Sequence, residues 1–124
     1  SSLLAVMAQR LVRVLCPDCR RPAAPTVQEA ELLGIDAAGA AAATIYHPVG
    51  CARCNHSGYR GRSAIYELIE VDETLRSLIH DGASEQAMTA SARQHSASIL
   101  DDGRRRVLAG DTSLQEVLRV TAAS

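Results

Sequence analysis

The chain has 124 residues, 47% of them hydrophobic, yet it holds no Phe, no Trp and only three Tyr, so its core must be thin and something beyond side-chain burial should support it. All 13 basic residues are Arg, set against 14 Asp and Glu for a net charge of −1; this balance, with few aromatic platforms, argues against nucleic-acid binding. No apolar run reaches the roughly 18 residues of a membrane span and no cleavable leader is evident, so the chain reads as cytoplasmic.

In chain order, Ser1 to Ala8 reads as the end of a helix, and its start inside an apolar stretch reads as the edge of an excised fragment. Gln9–Leu15 (QRLVRVL) is expected to be a strand, stopped by Cys16-Pro17-Asp18-Cys19. After a Pro-rich turn at Pro22 and Pro25, Thr26 and Glu29 have capping-box spacing and Gly34 sits at a C-cap position, which predicts a helix over 27–33. Residues 37–43, six Ala and one Gly, fit helix or loop equally by composition. Thr44–His47 reads as a short strand leading into Gly50-Cys51-Ala52-Arg53-Cys54, and Gly58-Tyr59-Arg60-Gly61 releases the chain into the clearest strand, Ser63–Val71.

From Asp72 the apolar period becomes helical. Asp72 is the N-cap candidate of a helix through Leu75, Leu78 and Ile79 that Gly82 closes; Ser84 opens a second, through Met88 and Ala92 to about His95. A third helix is expected over Ser98 to Ala109, ended by Gly110, and Ser113 with Glu116 repeats the capping-box spacing before a last helix carrying Leu114, Val117 and Leu118. No internal repeat is visible.

Two C-x-x-C pairs, Cys16/Cys19 and Cys51/Cys54, separated by 31 residues, carry the chemistry. Two thiolates three positions apart on a tight turn reach one ion, and two such turns complete a tetrahedron with no open position, the arrangement of a structural Zn²⁺. Pro17 presets the first turn and Gly58 frees the chain to leave the second. Disulfides suit secreted chains, and a redox C-x-x-C normally stands once, at a helix start after a strand, so neither reading matches this pattern as well as zinc does. Arg20, Arg21, Arg53, Arg60 and Arg62 flank the two turns and can offset the negative charge of four thiolates around one ion. The first, second, third and fourth of these are also candidate partner contacts. His56, two residues after Cys54, reads as a surface neighbour, and His47, His80 and His95 as ordinary. Arg104-Arg105-Arg106 reads as a solvated helix face set against Asp101 and Asp102, with an anion or partner patch as the alternative. With no Lys in the chain there is no phosphate-cradling Gly-x-x-x-x-Gly-Lys-Ser/Thr loop, so unaided ATP hydrolysis is not expected.

These residues carry a family resemblance: LLAVMAQRLVR at Leu3–Arg13, then CPDC, GCARC, GYRGR and AIYEL, and GDTSLQEVLRVT at the close. The chain resembles the C-terminal part of the type II secretion system assembly ATPase, the GspE family of traffic ATPases, with the type IV pilus assembly ATPase as a close relative and alternative. An independent zinc-ribbon module that binds nucleic acid is the alternative of another class. The resemblance implies a cytoplasmic, hexameric P-loop motor docked on the inner membrane through other proteins of the secretion apparatus and driving pseudopilus assembly. ATP and Mg²⁺ would belong to the parent's core. The implied fold is α+β: residues 1–15 end the RecA-like core, a four-cysteine zinc-binding insertion spans 16–62, a returning antiparallel edge strand spans 63–71, and a C-terminal helical bundle spans 72–124.

Overall fold

A computed structural model describes residues 5–93 and 98–121. Two long strands, β1 (Ala5–Leu15) and β4 (Tyr59–Glu70), pair antiparallel from Ala5↔Glu70 to Arg13↔Arg62, with an irregularity before Leu15↔Tyr59. Residues 5–8, expected to close a helix, are therefore strand. Their alanines favour helix locally, but β4 runs on to Glu70 and supplies a partner for each of them, and the ladder overrides propensity. The first four residues of that expected helix lie outside the described residues.

Between these strands the chain forms β2 (Arg21–Ala23), α1 (Val27–Leu33), α2 (Ala37–Ala42) and β3 (Ile45–His47). β2 stands where a Pro-rich turn was expected and pairs antiparallel with β3, Pro22 opposite Tyr46. A two-strand ribbon leaves one edge of each strand unpaired, so a residue without an N–H is tolerated there. Helix α1 has the expected bounds and a complete capping box: the Glu29 N–H donates to Thr26 Oγ1 at 3.1 Å and the Thr26 N–H to Glu29 Oε1 at 2.9 Å. For the Ala-rich stretch that composition left open, Asp36 decides in favour of helix, its Oδ1 accepting the Gly39 N–H at 2.7 Å.

Four helices follow: α3 (Glu73–His80), α4 (Glu85–Arg93), α5 (Ile99–Leu108) and α6 (Leu114–Thr121). Asp72 and Ser84 cap the first two as expected, and Ser98, expected as the first helical residue, caps the third. They pack chiefly as two pairs rather than as one bundle: α3 against α4, and α5 against α6, with α5 on β4 and α6 on β1. Gly103 of α5 permits the second pairing, since a Cβ there would stand 2.5 Å from Val117 Cγ1. Among the described residues a core cluster forms from Val12, Leu33, Ile45, Ile65, Val107, Leu114 and Val117. It draws on both long strands, on α1 and β3 of the cysteine segment, and on α5 and α6. The opposite face of the long ribbon carries Met7, Leu11, Tyr66 and Leu68, all exposed.

A polar clasp fastens α6 to β1. Glu116 is 1% exposed, and its carboxylate accepts the Arg13 backbone N–H and Nε–H at 3.0 and 3.1 Å and Arg13 Nη2 at 3.0 Å. Arg119 adds Nη2 at 2.6 Å and Nε at 3.2 Å. Burial pushes this carboxyl up, but the hydrogen bonds from Arg119 and Arg13 outweigh it and hold it down at about 2, against an ordinary 4.5. The capping box expected at Ser113 and Glu116 is thus half formed: Ser113 Oγ takes the Glu116 N–H at 3.2 Å, while the carboxylate turns to the arginines. Arg13 also stacks 4.3 Å from the Tyr59 ring, whose hydroxyl meets Ser113 Oγ at 2.6 Å.

A carboxyl lowered on folding stabilises the fold above its unfolded value and loses that contribution as the pH falls through the folded one. Glu116→Gln should therefore cost on the order of 3 kcal/mol at neutral pH and flatten the acid dependence of stability between about pH 4.5 and 2. Denaturant titrations across that range check it; an unchanged acid profile would contradict the assignment.

Candidate metal centre

The four cysteines, 35 residues apart in two cross-pairs, converge at one end of the long ribbon. Cys16 follows β1 directly, and Cys54 ends a single 3₁₀ turn, Ala52–Cys54, shortly before β4. Cys16 Sγ lies 3.8 Å from Cys51 Sγ, Cys19 Sγ 3.9 Å from Cys54 Sγ, and Cys51 Sγ 3.7 Å from Cys54 Sγ. All four sulfurs fall within 4.8 Å of one another, and none is in a disulfide. Sulfurs placed about 2.3 Å from a common centre in a tetrahedron stand about 3.8 Å apart, so this set fits a single thiolate-bound ion.

The turns are built by backbone hydrogen bonds. The Arg20 N–H donates to the Cys16 carbonyl at 3.0 Å, and the Cys54 and His56 N–H groups donate to the Cys51 carbonyl at 3.3 and 2.8 Å. Asn55 and His56 both sit in the left-handed region, at φ 55 and 63. Gly58 follows at φ 85, where a Cβ would meet Pro48 Cβ at 2.5 Å, so the exit from the second turn requires glycine for both conformation and space. Backbone N–H groups also point at sulfur: Gly50 at Cys19 (3.3 Å), and Cys51 and Gly58 at Cys54 (both 3.2 Å).

These donors separate the thiols. At Cys54 burial pushes the pKa up, but the N–H groups of Cys51 and Gly58 and the thiol of Cys51 win and bring it down to about 6. At Cys19 the Gly50 N–H pulls down, yet burial and the hydrogen bonds shared with the other cysteines push it up to about 11. A bound cation would favour deprotonation of the cluster.

The flanking arginines fall into different roles. Arg20 turns inward: its Nη1 donates to the Gly110 carbonyl at 2.7 Å and its guanidinium stacks 4.0 Å from the Tyr46 ring. Arg21 is exposed at the start of β2. Arg53 and Arg60 lie 3.9 and 3.6 Å from the carboxylate of Asp18, which joins the first cysteine turn to the flanks of the second. His56 is exposed, and the four cysteines form the one cluster able to hold a metal among the described residues. His47 and His80 end β3 and α3, and His95 lies outside the described residues.

The Arg104–Arg106 run is not a simple solvated face. Arg104 Nε donates to the Leu32 carbonyl at 2.8 Å and Arg106 Nη2 to Ser63 Oγ at 2.6 Å, leaving Arg105, paired with Asp102 at 2.7 Å, as the outward one. Sequence reasoning missed these tertiary seats and the Glu116 clasp. The Glu116–Arg119 spacing was a local hint, but nothing in the sequence points to Arg13, 103 residues away.

The family model for type II/IV secretion system proteins matches residues 1–119. This chain belongs to that family. It is 54% identical over 121 residues to Type II secretion system protein E of Pseudomonas aeruginosa, covering 98% of this chain and 24% of that protein. It is 53% identical over 121 residues to the protein of the same name in Aeromonas hydrophila, with the same coverage. With Type II secretion system ATPase E of Vibrio cholerae the identity is 49% over 124 residues, 100% of this chain and 24% of that protein. The chain thus spans about a quarter of the length of these relatives. None of the described helices is long and apolar enough to cross a membrane.

An ion held by the four sulfurs would contribute on the order of 10 kcal/mol to what it organises, so replacing one sulfur should loosen the cysteine segment selectively. In Cys51→Ser, amide exchange should rise over residues 16–62 while α3, with its own Asp72 cap, keeps its protection. An equal rise in both would contradict this.

Proposed function

We propose that this chain is the zinc-binding C-terminal region of a secretion ATPase that powers pseudopilus assembly and protein export by a type II secretion system. The observation that carries the metal assignment is the group of four free Sγ atoms with contacts of 3.7 to 3.9 Å, a soft donor set whose spacing fits tetrahedral Zn²⁺. Cys16, Cys19, Cys51 and Cys54 would fill every coordination position, so the ion would pin two turns together and leave no place for substrate. Membership of the type II/IV family and the names of the relatives support the secretion role. Those names also favour secretion over the pilus system.

ATP hydrolysis, hexamer formation and placement in the cytoplasm against the inner membrane belong to this reading as properties of the whole motor. We assign ATP and Mg²⁺ to the parts of such motors that this chain does not span, since the chain has no Lys for a phosphate loop. Elemental analysis of the chain purified without chelator should return one zinc per chain, and the same preparation should show no ATP turnover. Absence of zinc would overturn the metal assignment, and measurable turnover would overturn the division of labour.

The cysteine segment offers no acid–base pair, which suits contact with a neighbouring subunit or an inner-membrane component of the apparatus. Because Arg20 is engaged within the chain, the candidate contact side chains narrow to Arg21, Arg53 and Arg60. In the whole motor, Arg21→Ala with Arg53→Ala should reduce secretion at unchanged zinc content. Normal secretion would reduce these arginines to compensation of thiolate charge.

A further inference from the structure

The turn between α5 and α6 lies far along the chain from the cysteines, yet it is built against residues that flank them. Three segments meet at the Arg20 guanidinium. Arg20 follows Cys19 directly, and its N–H closes the first cysteine turn on the Cys16 carbonyl at 3.0 Å. Its side chain stacks on Tyr46 of β3, the strand that leads to Cys51, and ends on the Gly110 carbonyl at 2.7 Å. Gly110 is shaped to receive it: φ is 84, and a Cβ there would stand 2.8 Å from Arg20 Nη1 and 3.1 Å from Tyr46 Cε2. The next two residues continue the attachment. The Leu15 N–H donates to the Asp111 carbonyl at 2.9 Å and Thr112 Oγ1 to the Arg13 carbonyl at 2.7 Å.

We propose that Arg20 couples the four-cysteine centre to the α5–α6 turn, so that metal occupancy and the seating of this helix pair on the long ribbon are linked equilibria. The proposal rests on the metal reading above. An ion that fixes the first turn fixes the base of Arg20, and hence the donor that holds Gly110; without it the guanidinium stem is free to leave the Tyr46 ring. Such coupling is reciprocal: whatever factor zinc contributes to seating the turn, the seated turn contributes to zinc affinity. The pair α3 and α4 has no comparable attachment to the cysteine segment among the main contacts of the described elements.

Chelation of the zinc-loaded wild-type chain, followed by amide exchange, requires no variant. The Gly110 and Asp111 amides, bonded to the Val107 and Arg106 carbonyls, should lose protection while amides of Glu73–His80 keep theirs. Arg20→Lys, which keeps the charge but not the planar fork, and Gly110→Ala, which fills the seat from the other side, should each retain one zinc per chain. Their zinc affinity in a chelator competition should fall about tenfold, within the usual range of site-to-site coupling. In both variants chelation should change exchange at Asp111 less than in wild type. Wild-type affinity in both variants overturns the coupling. So does turn protection that ignores chelation, or protection lost equally in α3. A chain that binds no zinc at all overturns the metal reading itself, and the coupling with it.

Discussion

Among the described residues seven buried aliphatic side chains, none larger than Leu or Ile, form the core cluster, with Ile35, Ile99, Leu100, Leu118 and Val120 only partly buried against it, and the rest of the structure is arranged around how little they bury. Each contributes about 1.5–3 kcal/mol at full burial, against about 1–2 kcal/mol of backbone entropy for every residue ordered. Such a core cannot hold ten secondary elements in place alone. The sulfur cluster and the buried ionic clasp are the further devices, and they stand at neighbouring points: Arg13 in the clasp and Cys16 in the cluster are three residues apart on one strand end.

The clasp works because its desolvation is answered in full. A carboxylate as buried as Glu116 would be destabilising with one partner, but five N–H donors from Arg13 and Arg119 converge on its two oxygens. The backbone donor is the telling one. It is the outward N–H of β1, an edge group that would otherwise lack a strand partner, and on the other edge Asp102 of α5 takes the Tyr66 N–H at 2.7 Å. One acid from each helix of the α5–α6 pair thus covers one edge of the ribbon, which seats the helices and blunts both edges in the same act.

What could be read from the sequence divides by distance along the chain. The caps at Thr26, Asp72 and Ser84 were legible because a cap is settled within three residues. The cysteine turns were legible because metal chemistry imposes their spacing. The strand over Ala5–Ala8 was not, since its cause is Glu67–Glu70, and Ala5, Met7 and Ala8 taken alone point to helix. β2 was hidden by Pro22, a residue that signals a turn until a partner strand is known. Ser113 and Glu116 misled in a more instructive way: the spacing was right, the Ser113 half of the box formed, and a remote arginine claimed the carboxylate. Arg20 likewise looked like a surface charge beside a thiolate until Gly110 came into contact with it.

The place of the cysteines follows from the topology. β1 and β4 pair as a hairpin does, but Leu15 and Tyr59, which face each other at its end, are joined by 43 intervening residues instead of a tight turn. Closing a loop of that length costs about 3 kcal/mol in chain entropy before any pairing is made. The cluster that sets Cys16 against Cys51 and Cys19 against Cys54 at that end stands where the tight turn would, and an ion held by the four sulfurs would join the strand ends through four bonds to one centre rather than through the whole segment. The long connection is then free to carry α1, whose Leu33 enters the core, and β3, whose Ile45 joins it and whose Tyr46 supports Arg20. The cysteine cluster at the ribbon's end, with Glu116 on one edge and Asp102 on the other, thus fastens the same two strands to the helices they carry.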